Sequence, residues 1–375
     1  MSLERLVELS RRYGAEPEWV LAGGGNTSFK DGRTLYVKAS GSQLATIGPE
    51  GFARMDRAAL QTIWDADYPN DPNEREARAL ADLMAARAKG EQKRPSVETL
   101  MHELFPYAFV VHMHPALING LSCAQDGERA ARKLFGNALL WVPAIEPGYV
   151  LARAMRAAAL RHEERRGSFP RLVMLQNHGL VVAADTVEEI DRLHKEVRRA
   201  IRSAVRREPD LSPQDGNDAA RDRWHAAIDL AFEHAVTVEF RTNAELTRRL
   251  ATEAAFAPLA GAFTPDHIVY AGAAPVFVSG NPINSAAGLR SRIVTYRGEH
   301  AGEPRIIAVE GLGAFAVTES LEASDAALSL FMDEVRIAAY AESFGGARHL
   351  DPHLVAFIEG WEVERYRKNV SGGGA

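Results

Sequence analysis

Two histidines separated by one residue are the sharpest chemical signal in this 375-residue chain. His112 and His114 belong to the run 108–114, which is rich in β-branched and aromatic residues and lies between Pro106 and Pro115. This composition and length predict a strand, and alternate residues of a strand point to the same face. The two imidazoles can therefore converge on one ion, because neutral imidazole is the commonest protein ligand of zinc and related divalent metals.

Two further side chains could complete such a site. His178 falls in a turn between predicted strands at 172–175 and 180–184, so its side chain can reach a neighbouring strand. Glu98 lies near the start of a predicted helix that ends just before the histidine strand. Three imidazoles and one carboxylate would make a tetrahedral set for zinc, with manganese, cobalt and iron less favoured. A carboxylate that can leave the metal when substrate arrives could then serve as a base.

Each of these residues also has a plainer interpretation. His178 could be a turn histidine with satisfied hydrogen bonds, and Glu98 a first-turn acid beside the positive end of its helix. His102 follows Glu98 by four residues and shares its helix face. It is therefore an alternative ligand or a hydrogen-bond partner of that acid. The single cysteine, Cys123, excludes an internal disulfide and a thiolate zinc site.

Three short segments rich in glycine and polar residues precede the histidines. The first is 23–28, the second is Ser40-Gly41 with Lys38 nearby, and the third contains Ser96. Glycines let the backbone approach an anion closely, while asparagine and hydroxyl side chains supply donors. The first segment matches neither a Walker A loop nor a GxGxxG fingerprint, so nucleotide binding is not indicated. Taken alone, each segment could equally be an ordinary turn.

The elements that must position these residues alternate between strands and helices, which is typical of an α/β fold. The chain is 46% hydrophobic and 25% charged, values that argue against disorder. Its net charge of −6 removes any global electrostatic case for nucleic-acid binding. No apolar run is long enough for a membrane helix, and the N-terminus lacks the pattern of a signal peptide. We therefore expect a cytoplasmic protein.

The polar, turn-rich segment 207–218 predicts a domain boundary. We expect a catalytic domain at 1–208, an α/β extension at 209–370 and a flexible tail at 371–375. In the extension, the pattern predicts helices at about 219–235, 243–256 and 322–343, and strands near 267–270, 275–278, 292–296 and 305–309.

A short internal similarity links the two halves. Residues 172–186 and 305–320 each contain a strand, a glycine-containing turn, a second strand and an acidic helix start, displaced by 134 residues. The extension is either a degenerate half-repeat or a coincidence of two strand–turn–strand units. In the repeat interpretation Leu312 stands where His178 stands, so only the first copy keeps the polar group.

Taken together, these motifs resemble the class II aldolase/adducin N-terminal domain family, which includes fuculose- and rhamnulose-phosphate aldolases and ribulose-phosphate epimerases. They occur in the family's order at compatible spacing and cover about residues 5–205. The second half is similar to the aldolase portion of bacterial fusions with a short-chain dehydrogenase, through 263–266 and 311–313. The matching motifs of the first half are Gly24-Gly25-Asn26-Thr27-Ser28, Lys38-Ala39-Ser40-Gly41, Pro95-Ser96-Val97-Glu98, His112-Met113-His114-Pro115 and Asn177-His178-Gly179.

The resemblance implies a three-layer α/β/α fold with a mixed, largely antiparallel central sheet. It implies a divalent metal, usually zinc, or another ion such as Mn²⁺ or Co²⁺. Glu98 would be a loose metal ligand and the acid/base, and the enzymes usually form cyclic homotetramers. The metal would be held by His112, His114 and His178, and the phosphate of dihydroxyacetone phosphate would be bound by Asn26, Thr27, Ser40, Gly41 and Ser96.

The resemblance therefore implies a lyase that cleaves a ketose 1-phosphate into dihydroxyacetone phosphate and an aldehyde through a metal-stabilised enediolate. Alternatives on the same site are a sugar-phosphate epimerase, which typically carries Asp at the position of Glu98, and a dehydratase. A metal-free, adducin-like interaction module is a further alternative, although such members lack the histidines. Val97 replaces a second serine of the phosphate loop. The motifs do not place the tyrosine that would donate a proton to the aldehyde, and Tyr149, which follows Glu146-Pro147-Gly148, is one candidate among the nine tyrosines.

Overall fold

The computed structural model describes residues 2–214, 217–279 and 282–361. The predicted tail at 371–375 lies outside them. The chain divides into two compact units. Unit 1 lies within Met1–Ile118 and Glu128–Ser203, and unit 2 within Asn119–Gly127 and Ala204–Ala375. Within the described ranges, we find no helix with both the length and the apolar character needed to span a bilayer.

Unit 1 is built on a seven-stranded mixed sheet of order β3-β2-β1-β4-β7-β6-β5. Every neighbouring pair is antiparallel except β5 and β6, which run parallel. Sequence neighbours pair at both edges, whereas β4 pairs with β1 and β7 from distant parts of the chain. The strands are β1 (Asn26–Asp31), β2 (Thr34–Lys38), β3 (Phe52–Asp56), β4 (Phe109–Met113), β5 (Leu139–Val142), β6 (Leu172–Leu175) and β7 (Gly179–Ala184).

Helices cover both faces of this sheet, as the contacts of one strand show. The helices up to residue 204 are α1 (Ser2–Gly14), α2 (Arg57–Ile63), α3 (Pro72–Ala85), α4 (Thr99–Leu104), α5 (Ala116–Ser122), α6 (Gly127–Phe135), α7 (Tyr149–Arg166) and α8 (Val187–Ala204). Adjacent residues of β1 bind helices on opposite sides: Thr27 contacts Ser10 of α1, and Ser28 contacts His102 of α4. The predicted mixed, largely antiparallel sheet between helical layers is confirmed.

Local sequence accounts for several of these helix boundaries. Asp71 caps α3 by accepting a hydrogen bond from the Glu74 amide, and Pro72 occupies the first turn, where its missing N–H costs nothing. Helix α7 ends at Gly167, which adopts the left-handed conformation with φ 73°. One core packs Val110, Val173 and Val181 of the sheet against α7, and this core supports the strands that carry the histidines.

Unit 2 contains a four-stranded sheet of order β8-β11-β10-β9. Its strands are β8 (Thr237–Arg241), β9 (Val276–Val278), β10 (Ile306–Val309) and β11 (Gly313–Thr318). An apolar cluster joins this sheet to the buried faces of α9 and α13. The helices are α9 (Asp218–Asp229), α10 (Ala244–Arg249), α11 (Glu253–Phe256), α12 (Pro265–Ala271), α13 (Pro282–Glu299), α14 (Leu321–Ala341) and α15 (Pro352–Gly360).

Two strands predicted in the second half are helices instead. Residues 267–270 belong to α12, which begins with Pro265 in its first turn and is buried along its whole length. Residues 292–296 belong to α13, where Leu289, Ile293 and Tyr296 face the core with helical spacing. In both places tertiary packing overrides the β propensity of a short β-branched run.

Candidate metal and anion site

The three candidate histidines come together at one end of the β4–β7 pair. His112 lies on β4 opposite Val181 of β7, His114 follows the end of β4, and His178 lies in the turn between β6 and β7. Nε2 of His112 is 2.9 Å from Nε2 of His114 and 3.3 Å from Nε2 of His178. Ligand atoms of all three side chains lie within 4.8 Å of one another.

Hydrogen bonding sets the orientation of the most buried imidazole. His112 is fully buried, and its Nδ1 lies 3.0 Å from the carbonyl oxygen of Leu180. An Nδ1–H that donates to this carbonyl leaves the Nε2 lone pair directed at the other two imidazoles. Three inward-facing nitrogens at these separations have the chemistry of a cation site. The cluster therefore fits a divalent ion that accepts imidazole ligands.

The turn that presents His178 depends on the residues on either side of it. Asn177 is left-handed with φ 54°, a conformation that asparagine tolerates better than most residues. Gly179 faces the histidine strand without a side chain. A Cβ there would lie 2.5 Å from the carbonyl oxygen of Met113 and 2.6 Å from Cδ2 of His114. Glycine is therefore what allows the turn and the strand to approach each other.

Glu98 occupies the N-cap position of α4 but makes no side-chain capping hydrogen bond, and its carboxylate is directed at the imidazoles. Its Oε1 is 3.4 Å from Nε2 of His112 and 3.6 Å from Nε2 of His178. Its Oε2 accepts a hydrogen bond of 2.9 Å from Nδ2 of Asn26. Burial alone would raise the pKa of Glu98, but positive charge on His112, and next on His178, lowers this pKa well below its usual value. Positive charge at the cluster, whether protons or a bound cation, therefore favours the ionised carboxylate.

Part of the predicted anion-binding set adjoins Glu98. Nδ2 of Asn26 donates to Oγ of Ser96 at 2.8 Å, and the backbone N–H of Glu98 donates to the same hydroxyl at 3.2 Å. The backbone N–H of Ser40 donates to the Arg94 carbonyl at 2.9 Å, which places the Ser40-Gly41 turn beside the segment that leads to Ser96. Asn26 and Ser96 therefore form one hydrogen-bonded group with Glu98, and the Ser40-Gly41 turn is joined to the preceding segment at Arg94.

Three other residues named from the sequence lie in different surroundings. The buried Thr27 hydroxyl is 2.7 Å from Oγ of Ser10, on the face of β1 opposite Asn26. Nδ1 of His102 is 2.8 Å from Oγ of Ser28, and burial lowers the pKa of His102 to about 3 despite the charge of Glu98. The Tyr149 hydroxyl approaches the carbonyl oxygen of Ala66 at 3.5 Å, within an apolar core.

Gly25 has a supporting role that sequence reasoning missed. It has a φ of 70°, and a Cβ at this position would lie 2.9 Å from Sδ of Met113, the residue between the two strand histidines. The glycine-rich segment therefore packs closely against the histidine strand as well as leading into Asn26. The run of three glycines is visible in the sequence, but its packing partner is distant along the chain.

Comparison with known proteins places these residues in a family. The family described as the class II aldolase and adducin N-terminal domain matches residues 4–205. A relative from Bacillus subtilis strain 168, described as the uncharacterized oxidoreductase YuxG, is 25% identical over 408 residues. That alignment covers 97% of this chain and 58% of the relative, so the chain spans well under two thirds of the relative's length.

Solved structures align with about half of the chain. The N-terminal class II aldolase domain of a conserved protein from Thermoplasma acidophilum is 28% identical, covers 54% of this chain and 93% of that one, and has a TM-score of 0.46. The L-fuculose-1-phosphate aldolase from Thermus thermophilus is 17% identical, and the alignment covers 53% of this chain and 92% of that one, with a TM-score of 0.31. Because the family match extends over more than half of the residues, the chain belongs to the class II aldolase and adducin N-terminal domain family.

Proposed function

We propose that this protein is a divalent-metal-dependent aldolase that cleaves a ketose 1-phosphate into dihydroxyacetone phosphate and an aldehyde. The observation that carries the proposal is the position of the Glu98 carboxylate, 3.4 and 3.6 Å from two imidazoles of a three-histidine cluster. Membership in the class II aldolase family supports a metal-dependent enzyme acting on sugar phosphates. A metal-free interaction module would have no need to bring these side chains together.

In this proposal His112, His114 and His178 hold the metal, with zinc favoured and Mn²⁺ or Co²⁺ as alternatives. When bound, the ion supplies Lewis-acid polarisation of the substrate carbonyl. Cδ2 of His114 faces the space beside Gly179, and the carbonyl of Leu180 orients His112. Both features hold the imidazoles in position before any ligand arrives, which lowers the cost of organising the site.

Glu98 is proposed to exchange the proton on the carbon next to the substrate carbonyl. Despite burial, positive charge at the cluster lowers the pKa of Glu98, and one oxygen of its carboxylate is held by Nδ2 of Asn26 at 2.9 Å. A base held by a second side chain needs little reorganisation when substrate binds. Asn26 therefore acts as a positioning residue for the acid/base as well as a proposed anion contact.

The substrate phosphate is proposed to bind beside Glu98, on Asn26, Ser96 and the Ser40-Gly41 turn. Asn26 and Ser96 are already joined by a hydrogen bond, so the two donors keep a defined separation. Gly41 has a φ of 87°, which leaves the backbone of this turn open to close approach. Val97 contributes no hydroxyl group. We therefore expect the anion to depend more strongly on Ser96 than it would with two serines.

Solvent deuterium exchange into dihydroxyacetone phosphate tests the proposal directly. The metal-loaded protein should incorporate deuterium, and Glu98→Gln should abolish incorporation while retaining the metal. The matched control is Glu103→Gln, because Glu103 is a nearby buried acid that accepts hydrogen bonds from Arg57 and Gln61. Exchange at the full rate in Glu98→Gln, or no exchange in the metal-loaded wild type, would contradict the assignment.

The substrate class and assembly need separate measurements. A cleavage screen of sugar phosphates with zinc and manganese should yield dihydroxyacetone phosphate. Formation of an epimer or a dehydrated sugar instead would contradict aldol cleavage and favour the corresponding alternative. We also propose a homotetramer, on family resemblance, and light scattering would test this mass. A purified protein without divalent metal, and with no gain on adding it, would remove every enzymatic interpretation of the site.

A further inference from the structure

The sheet of unit 2 has the same strand pattern as half of the sheet of unit 1. Four strands of unit 1 lie in the order β4-β7-β6-β5, and those of unit 2 lie in the order β8-β11-β10-β9. In both units the first two pairs are antiparallel and the last pair is parallel. The order of the corresponding strands along the chain is also the same.

The helices between these strands correspond as well. An 18-residue helix, α7 in unit 1 and α13 in unit 2, leads into β6 and β10 respectively. Helices α8 and α14 follow β7 and β11. From β6 onward the two series begin 134 residues apart, as shown by the starting pairs Leu172 and Ile306, Gly179 and Gly313, and Val187 and Leu321.

Backbone hydrogen bonds repeat at the same displacement. The turn that carries His178 has a left-handed residue at Asn177, with φ 54°, and its counterpart Gly311 has φ 68°. The bond from the His178 amide to the Leu175 carbonyl, at 3.2 Å, corresponds to a bond of 3.1 Å within 309–312. Two further amide-to-carbonyl bonds correspond in the same way. The bond from Gln176 to Val142 corresponds to the bond from Glu310 to Val278. The bond from Ala183 to Arg171 corresponds to the bond from Val317 to Arg305. Agreement at this level exceeds what two unrelated strand–turn–strand units require.

We infer that unit 2 contains a metal-free copy of the half-sheet that carries the histidines, with Phe240, Thr242 and Leu312 at the three ligand positions. Strand register gives the first equivalence, because His112 pairs with Val181 and Phe240 pairs with the residue 134 positions after Val181. Thr242 is two residues beyond Phe240, as His114 is beyond His112. Leu312 precedes the first residue of β11, as His178 precedes the first residue of β7.

The two glycines that follow these turns support the equivalence of His112 and Phe240. A Cβ at Gly179 would lie 3.3 Å from Cε1 of His112 and 2.5 Å from the carbonyl oxygen of the next residue. A Cβ at Gly313 would lie 2.5 Å from Cζ of Phe240 and 2.9 Å from the carbonyl oxygen of Arg241. The same approach of turn to strand therefore exists in both units, with a phenyl ring in place of an imidazole.

Apolar packing has replaced ligand chemistry at this position of unit 2. Leu312 is 8% exposed and belongs to the apolar cluster of the unit, and Phe240 packs against that cluster. None of the three side chains is a ligand for zinc. Among the described residues, the three-histidine cluster of unit 1 is the metal-type group that the geometry shows. We therefore expect one bound ion per chain and no metal chemistry in unit 2.

Restoring the ligands tests the inference. The variant F240H/T242H/L312H should bind a second equivalent of Co²⁺ and about double the visible absorption that Co²⁺ gives in the wild type. The matched control is E239H/R241H/L312H, in which the strand histidines move to the opposite face of β8 because side chains alternate. The control should keep the wild-type metal content.

A second variant tests the inference without the loss of packing that removal of the Phe240 ring would cause. T242H/L312H retains Phe240 and should bind Co²⁺ in unit 2 at least tenfold more tightly than L312H alone. Metal content at the wild-type value in F240H/T242H/L312H, together with no gain in T242H/L312H, would overturn the inference. It rests on the metal site proposed for unit 1. A wild type that binds no metal would refute that site, whereas one equivalent in the wild type and in both variants would refute this inference alone.

Discussion

The substitution Gly179→Ala tests the packing that supports the candidate metal site while leaving all of the proposed ligands unchanged. Gly179 donates no atom to the cluster, yet a Cβ there would meet the carbonyl oxygen of Met113 at 2.5 Å, Cδ2 of His114 at 2.6 Å and Cε1 of His112 at 3.3 Å. The first contact involves backbone that is held in the β4–β7 pairing, so it cannot be relieved by a change of rotamer. The turn and the strand must move apart, and the imidazoles move with them.

The effects of this substitution on stability and on metal affinity can both be estimated in magnitude. Adding a methyl group to a closely packed position typically costs about 1–3 kcal/mol of stability. Displacing groups that orient metal ligands typically lowers metal affinity about 10–100-fold. We therefore expect Gly179→Ala to fold with reduced stability and to bind zinc about 10–100-fold more weakly. A chelator competition titration measures the affinity, and thermal unfolding in EDTA measures the stability of the metal-free protein.

Two control variants separate these effects. Gly313→Ala introduces the same crowding at the equivalent turn of unit 2, so it should lower stability and leave zinc affinity unchanged. Gly288→Ala lies in α13 with no atom within 4 Å of its added Cβ, and it should stabilise the protein by about 0.5–1 kcal/mol. Wild-type zinc affinity in Gly179→Ala would refute the reasoning, as would an equal loss of affinity in Gly313→Ala.

Three further predictions concern the buried polar groups. Burial raises the pKa of Glu334 from 4.5 to about 8. The charge of His267 acts to lower this pKa, and the charge of Asp333 acts to raise it. The folded chain then holds a proton that the unfolded chain releases, so stability should fall from pH 4.5 to 8 by up to about 1.4 kcal/mol per pH unit. Glu334→Gln should reduce this slope in urea unfolding, and an unchanged slope would contradict it. Burial likewise raises the pKa of the Cys123 thiol to about 12. The thiol reagent DTNB should therefore label Cys123 only when unit 2 opens. Labelling at the rate of a free thiol would refute this expectation. Asn26→Asp would place a second carboxylate within hydrogen-bond distance of Glu98. Deuterium exchange should therefore fall at least tenfold while metal content is retained. Exchange at the wild-type rate would show that Asn26 does not position Glu98.

Local patterns predicted part of the geometry of the candidate site, because two of its features depend on residues that are close in sequence. Alternation along β4 puts His112 and His114 on one side, and the predicted strand at 172–175 is confirmed as β6. The same rule explains why Thr27 is separated from Asn26. The glycine-rich pattern at 23–28 predicts a turn, whereas β1 begins at Asn26, so the two neighbouring side chains face opposite helical layers.

Features that depend on distant contacts were beyond sequence reasoning. Residues 267–270 carry a strong β pattern, but the proline at the start of α12 and burial on all sides make them helical. Segment 119–127 clusters with unit 2 although it lies within the first half of the chain. Such choices depend on which surfaces meet in space, and a single sequence does not record that.

The long-range pairing of β4 with β7 also determines when the proposed metal site could take up an ion during folding. His112 and His178 are 66 residues apart, and a loop of that length loses considerable entropy on closure. Of the three proposed ligands, only His112 and His114 are close together in the unfolded chain, and two imidazoles bind an ion weakly. The third arrives when the sheet has formed, so the ion should leave the folding rate of unit 1 nearly unchanged and slow its unfolding.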